Sequence, residues 1–249
     1  MTFSLTVNAP TFRQHLKNVQ DRIAQQGAIL VPVVKGNGYG FGRSVLARES
    51  VLLGVPRIAI GTVWELDEAL QQFNGEIQVL EPLISSDRAA LTQWQQITKH
   101  HAQRIIATVA TDDLSVAHSV GISNVILDAQ TSLTRFGFSL HALIKLLNNA
   151  PHGITIRGLA LHLPIAAPQM TQADLLEVSH SLRQSPPSSR VLEVSSWLMT
   201  YRELAAEHQL PLHVSLSHID EVDLANLHEH HAEFTYDIRM GTALWLGIP

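Results

Sequence analysis

The apolar positions of the chain follow two rhythms. Short, nearly continuous apolar runs alternate with longer stretches in which apolar residues recur every three or four positions. The first rhythm marks strands covered on both faces and the second marks helices with one apolar stripe, so the order is that of repeated βα units. Eight strands are predicted, over 29–35, 58–62, 77–82, 104–110, 124–128, 154–161, 212–217 and 235–239. A helix precedes them: Asn8 caps it, Pro10 suits its first turn, Phe12, Leu16, Val19 and Ile23 repeat at helical spacing, and Gly27 stops it. After the second strand, Thr62 and Glu65 read as a capping box. A Pro/Ser loop at 185–189 divides the long interval 171–210 into two predicted helices, with a strand at 191–194 as the alternative.

Eight strands needing cover on both faces and joined by helices predict an α/β fold, a parallel sheet closed into a (β/α)8 TIM barrel. An open doubly wound sheet is the alternative. The 249 residues fit one such barrel, expected to span 1–249 as a single domain, and no repeat or linker divides them. Hydrophobic residues make up 45% of the chain and charged ones 16%, which excludes a disordered class. The net charge of −5 leaves no basic footprint for nucleic acid or an anionic membrane surface, so neither is an expected partner. With no cysteine, disulfides, thiolate nucleophiles and cysteine-held zinc are excluded. His228-Glu-His-His231 lacks H-E-x-x-H spacing and reads as a helix-surface cluster, so no metal is expected. The start, MTFSLTVNAP, has no basic segment followed by an apolar run, and the apolar stretch 28–34 is too short to cross a bilayer. A cytoplasmic location is expected.

The most informative segment ends the first strand: Val33-Val-Lys35-Gly-Asn-Gly-Tyr39-Gly-Phe-Gly42. Barrel enzymes place their chemistry at the C-terminal ends of strands, and desolvation there lowers a lysine toward a usable amine nucleophile. Glycines at 36, 38, 40 and 42 permit a tight turn and close approach to an anion. The lysine precedes the glycines, so this is no Walker A loop, and the spacing is not G-x-G-x-x-G.

This segment resembles the pyridoxal-phosphate-binding signature of alanine racemases, normally V-V-K-A-N-A-Y-G-H-G. The resemblance continues in order through Ile60-Gly-Thr-Val-Trp-Glu-Leu-Asp-Glu-Ala-Leu, through Leu127-Asp-Ala-Gln-Thr-Ser-Leu-Thr-Arg135-Phe-Gly137, and through Gly158-Leu-Ala-Leu-His162. It ends at Ile238-Arg239-Met-Gly241-Thr-Ala-Leu-Trp-Leu-Gly247. It implies pyridoxal 5'-phosphate as cofactor, with Lys35 forming the internal Schiff base and then acting as a base. By the same resemblance Tyr39, Gly241 and Thr242 hold the phosphate, and Ser215 and Ser217 are candidate phosphate ligands. Arg135 contacts the cofactor oxygen or the substrate carboxylate, and His162 lies beside the ring or orients Arg239. Arg239 faces the pyridine nitrogen. Because guanidinium only donates, it leaves that ring neutral, a weak electron sink that restrains side reactions.

Three departures from the family bear on function. The racemases carry a second, all-β domain whose tyrosine acts in the partner's site on the opposite face; this chain stops at Pro249, and Tyr201 and Tyr236 are unconvincing substitutes. A monomer, or a dimer unlike the two-domain one, is therefore expected. Asp128 stands where many racemases have a lysine that buttresses the arginine, and Phe41 replaces the signature histidine. The leading expectation is a racemase-like isomerase of a small amino acid, its opposite base being His162 or a water. The alternatives are a pyridoxal-phosphate carrier resembling the homeostasis proteins, whose S-M-G-M-S stretch is missing, and a cofactor-free barrel or subunit.

Overall fold

A computed structural model describes residues 6–111, 114–151, 153–165 and 188–247. Helix α1 (Ala9–Gln25) begins as its sequence demands: Asn8 accepts the Thr11 N–H at 3.1 Å, and Leu16, Val19 and Ile23 turn inward. Eight strands follow, β1 (Ala28–Pro32), β2 (Arg57–Ile60), β3 (Glu76–Pro82), β4 (Ile105–Val109), β5 (Asn124–Ala129), β6 (Thr155–His162), β7 (His213–Ser217) and β8 (Thr235–Met240). Between them lie α2 (Arg43–Leu53), α3 (Leu66–Gln72), α4 (Arg88–His101), α5 (Leu114–Ser119), α6 (Leu140–Asn148), α7 (Ser189–His208) and α8 (Glu221–His230), with α9 (Thr242–Leu246) after β8.

All strand pairs are parallel, in the order β1-β8-β7-β6-β5-β4-β3-β2. The ring closes just beyond β1, where Val33 bridges Ala59 and the Val34 N–H donates to the Ala59 carbonyl at 2.6 Å. The chain is a (β/α)8 barrel, and the doubly wound alternative is excluded. Side-chain alternation sorts each strand into two faces. Val125 and Leu127, Val214 and Leu216, and Tyr236 and Ile238 join the main core under the helices. The opposite faces of the same strands line the interior, where two small apolar clusters form a waist: Val31, Val33 and Ala59, and Ile106, Ile126 and Ala160.

Below that waist the floor is ionic. Arg57 pairs with Asp237 and with Glu76, Arg157 with Glu76 at 2.8 Å, and His213 Nε2 with Asp237 at 3.2 Å. These contacts fasten β2, β3, β6, β7 and β8 at their N-terminal ends. Gly158 permits the close packing of β6 on β7: a Cβ there would lie 2.3 Å from the His213 carbonyl oxygen.

The helix expected after the Pro/Ser stretch is present and its strand alternative is excluded, whereas the extent of the loop through 189 and the capping box are corrected. Residues 191–194 are helical: Ser188 accepts the Val191 N–H at 3.2 Å and starts α7, whose buried Val191, Val194 and Leu198 fall on one face. Tertiary burial of that stripe overrides the strand preference of β-branched residues. Ser188 and Ser189 thus belong to a helix start rather than to a loop, and the earlier predicted helix of that interval lies outside the described residues. The capping box at 62 and 65 is also absent. Thr62 makes no side-chain cap bond, and the Glu65 carboxylate is used elsewhere.

Candidate active site

The C-terminal ends of the strands gather the polar residues above the waist. β1 leads through Val33 and Val34 to Lys35 and a loop whose Tyr39 takes a left-handed conformation (φ 53°). Gly38 is obligatory in that loop, because a Cβ would meet the Arg43 backbone nitrogen at 2.5 Å. Glu65 fixes the loop from below. Nearly buried, it accepts the Gly36 N–H at 3.0 Å and the Gly61 N–H at 2.7 Å, tying the lysine loop to the end of β2. This carboxylate anchor has no short-range signature, because one donor lies 29 residues away. Phe41 stacks on Phe12 with ring centroids 5.5 Å apart, and Phe12 in turn on Trp245 at 6.3 Å. The aromatic at position 41 therefore packs the loop onto α1 and α9.

Lys35 opens toward solvent at the mouth, yet its pKa is lowered. Partial burial is the main cause, with Arg135 and Arg239 adding like-charge repulsion while Glu65 opposes them. Tyr39 crosses to the start of α9. Its hydroxyl lies where a side chain at Gly241 would begin, 2.1 Å from an added Cβ, and burial raises its pKa, with Glu65 adding to the rise. Thr242, the first residue of α9, is exposed.

Arg239 is buried at the mouth end of β8. Its Nη2 donates to the Leu161 carbonyl at 2.8 Å and to the Ser215 carbonyl at 3.4 Å, whereas Nε has no partner among the described residues. Burial lowers its pKa, opposed by Asp128 and Asp237. Asp128 stands opposite on β5, raised to about 6 by burial although Arg239 and Arg135 pull it down. Arg135 itself is exposed, over the Phe136 ring at 5.1 Å, in the loop after β5. That loop is pinned by the Phe138 N–H to the Asp128 carbonyl at 2.8 Å and by Gly137, where a Cβ would lie 2.4 Å from the Ala129 carbonyl carbon.

His162 ends β6. Its Nδ1 pairs with Ser217 Oγ at 2.8 Å, and its pKa falls to about 3, first through burial and then through Arg239, His218, Arg135 and Lys35. The imidazole is therefore neutral. Ser215 is one layer deeper than Ser217, fully buried, with its hydroxyl unpartnered among the described residues. His218 was missed in the sequence. It follows β7 in a left-handed conformation (φ 57°), its ring packs edge-on against His162 at 4.9 Å, and Nδ1 donates to the Leu163 carbonyl at 2.6 Å.

Other candidates lie away from this mouth. Tyr201 is buried in α7 and donates to the Pro211 carbonyl at 3.2 Å, and Tyr236 faces the outer core, donating to the His231 carbonyl at 3.0 Å. The expected surface histidine cluster is divided: His231 is buried and contacts Arg202 Nη2 through Nδ1 at 3.3 Å, His228 packs on Tyr236, and only Glu229 and His230 are exposed. No metal-holding group of histidines and carboxylates occurs among the described residues, and none of their helices is long and apolar enough to cross a membrane.

A lysine, an arginine and a tyrosine thus gather around the mouth of a parallel barrel, with an unmet guanidinium donor among them. The chain belongs to the family described as alanine racemase, N-terminal domain, whose model matches residues 7–246. A curated alanine racemase of Desulfovibrio desulfuricans is 29% identical over 135 residues, 53% of this chain and 34% of that protein. Among solved structures, alanine racemase from Clostridium difficile superposes with a TM-score of 0.63 at 17% identity, covering 94% of this chain and 56% of that one. Alanine racemase from Bartonella henselae with covalently bound pyridoxal phosphate gives 0.59 at 18% identity, covering 93% and 61%. The chain thus spans about a third of that curated relative's length and under two thirds of these structures.

Proposed function

We propose that the chain is a pyridoxal-phosphate-dependent, racemase-like isomerase of a small amino acid, with Lys35 as the residue that carries the cofactor. The observation that carries this reading is the unpartnered Nε of buried Arg239. A buried donor left without an acceptor is costly, and a pyridine nitrogen supplies a lone pair and no hydrogen, which suits a group that only donates.

The residues around it fit the rest of the cofactor. The Tyr39 hydroxyl against Gly241, the backbone N–H groups of Gly241 and Thr242, and the Ser217 hydroxyl would hold the phosphate. Ser215, deeper and unpartnered, would supply a further hydroxyl beneath it. Arg135 would meet the substrate carboxylate with its planar fork of donors, and Asp128 would keep Arg135 and Arg239 oriented toward the site. His162, held neutral, would pack at the ring edge without adding charge. When bound, pyridoxal phosphate supplies the electron withdrawal that makes an amino acid's α-hydrogen acidic. Lys35, its pKa lowered, would offer its amine as nucleophile to the cofactor aldehyde and, once displaced, as a base for that hydrogen.

The test uses the purified protein with pyridoxal phosphate. A visible absorbance band should appear, be lost on borohydride reduction and be missing in Lys35→Ala. Incubation with alanine enantiomers in deuterated water should then give α-deuterium and inversion. A band without exchange or inversion across small amino acids would instead identify a cofactor carrier.

A further inference from the structure

We propose that His218 is the acid–base group serving the face of the substrate's α-carbon turned away from Lys35; this rests on the racemase-like function proposed above. Racemisation of a small α-amino acid requires a proton to leave one face of that carbon and another to arrive on the opposite face. Lys35, following β1, can serve only the face it approaches.

The barrel order places His218 on the far side of Arg239 from the lysine. Around the ring the order is β1, β8, β7, β6, with Arg239 on β8 paired to Val31 of β1 on one side and to Ser217 of β7 on the other. A ligand anchored at Arg239 therefore has the lysine on its β1 side. On the other side, His218 leans from the end of β7 over the end of β6, its ring against His162 and its Nδ1 on the Leu163 carbonyl. His162, against which the His218 ring packs, ends β6 at the same end of the barrel as Lys35 and Arg239.

The local bonding leaves His218 ready for proton exchange. A carbonyl oxygen only accepts, so Nδ1 must carry hydrogen, and Nε2 holds the lone pair of the neutral ring. Nδ1 is the only ring atom of His218 in a hydrogen bond among the described residues. The side chain is exposed to the mouth, while the backbone is held in its left-handed turn by Arg190 Nη1 on the His218 carbonyl at 2.5 Å. A non-glycine residue fixed in that region by its surroundings is characteristic of functional sites. His162 is the poorer donor, since its Nδ1 is engaged by Ser217 and its environment opposes the cation.

In one direction Lys35 Nζ takes the α-hydrogen as a proton while the electron pair stays with carbon. The protonated His218 gives its Nε2 proton to the opposite face, forming the new C–H bond. One proton leaves and one arrives, so no oxidant or reductant is needed. The reverse direction exchanges the two roles, and both groups return to their starting forms by exchange with water.

His218→Asn is the informative variant, because asparagine tolerates the left-handed backbone and can still donate to Leu163 but offers no titrating nitrogen. It should load pyridoxal phosphate as the wild type does. With alanine in deuterated water, inversion should fall by at least about a hundredfold while deuterium still enters one enantiomer with retention. Inversion within about threefold of wild type would overturn the assignment to His218 alone; absence of exchange and inversion in the wild type would overturn the function reading and this one with it. Nitrogen-15 NMR of the wild-type apoprotein gives a readout independent of activity and of the variant's folding. The neutral His218 ring should be the Nδ1–H tautomer, and an Nε2–H tautomer would overturn the proposal.

Discussion

The Tyr39 hydroxyl occupies the position from which a side chain at 241 would grow, 2.1 Å from where its Cβ would lie. Glycine at 241 leaves that space to the tyrosine. Gly241→Ala should displace the Tyr39 hydroxyl from the mouth. It should weaken pyridoxal-phosphate binding by about tenfold to a hundredfold, the range expected for a one-methyl overpacking. Tyr39→Phe in the Gly241→Ala background should then cost little more. Titration of the cofactor absorbance in the single and double variants checks both statements.

Glu65 connects the lysine loop to β2 through two backbone N–H groups, and its charge opposes the fall in the Lys35 pKa. Glu65→Gln retains one acceptor oxygen, turns an NH2 toward the other donor and removes the charge. Stability should fall by about 1–3 kcal/mol, and the Lys35 pKa should drop below its wild-type value. Denaturant unfolding measures the first, and NMR titration of carbon-13 methylated lysine measures the second.

Asp128 links pH to stability with an unusual sign. Its unfolded pKa is near 3.8 and its folded value about 6, so the folded state keeps a proton that the unfolded state releases between those values. The stability it contributes is present below pH 3.8 and lost as pH rises through 6. Relative to Asp128→Asn, the apoprotein should lose about 3 kcal/mol across that window. Unfolding curves of both proteins at pH 4, 5, 6 and 7 provide the comparison; a gap independent of pH would contradict it.

His162 has the opposite linkage. With its folded pKa near 3 and its ordinary value near 6.5, its contribution to stability is complete above 6.5 and declines as pH falls below it. Its ring resonances should show no titration from pH 5 to 9. Ser217→Ala removes the hydroxyl at Nδ1 and should leave the ring neutral, because burial and the arginines are the main causes.

The strands were legible because parallel barrel strands are apolar on both faces, so each reads as a run: β5 was foreseen as 124–128 and is Asn124–Ala129. His162 and Arg239 were singled out by the family resemblance, and each stands at a strand's C-terminal end on the inward parity. What escaped depends on partners distant in sequence. Glu65 looked like a helix cap because its true donor, Gly36, is in another βα unit. Phe41 looked like a lost histidine because Phe12 and Trp245 come from the first and last helices. His218 carried no motif at all; its place follows from a backbone turn and from the neighbouring end of β6.

Trp245 donates its Nε1 hydrogen to the Val33 carbonyl at 2.7 Å, two residues before the lysine. The shelf beneath Lys35 is therefore finished only by residues more than two hundred positions later. During synthesis the lysine leaves the ribosome early and waits, a free amine on an unfinished strand, until Arg239, Gly241 and Trp245 have followed it out. Completion of that shelf is therefore a late event, coupled to closure of the whole barrel rather than to folding of the first βα unit.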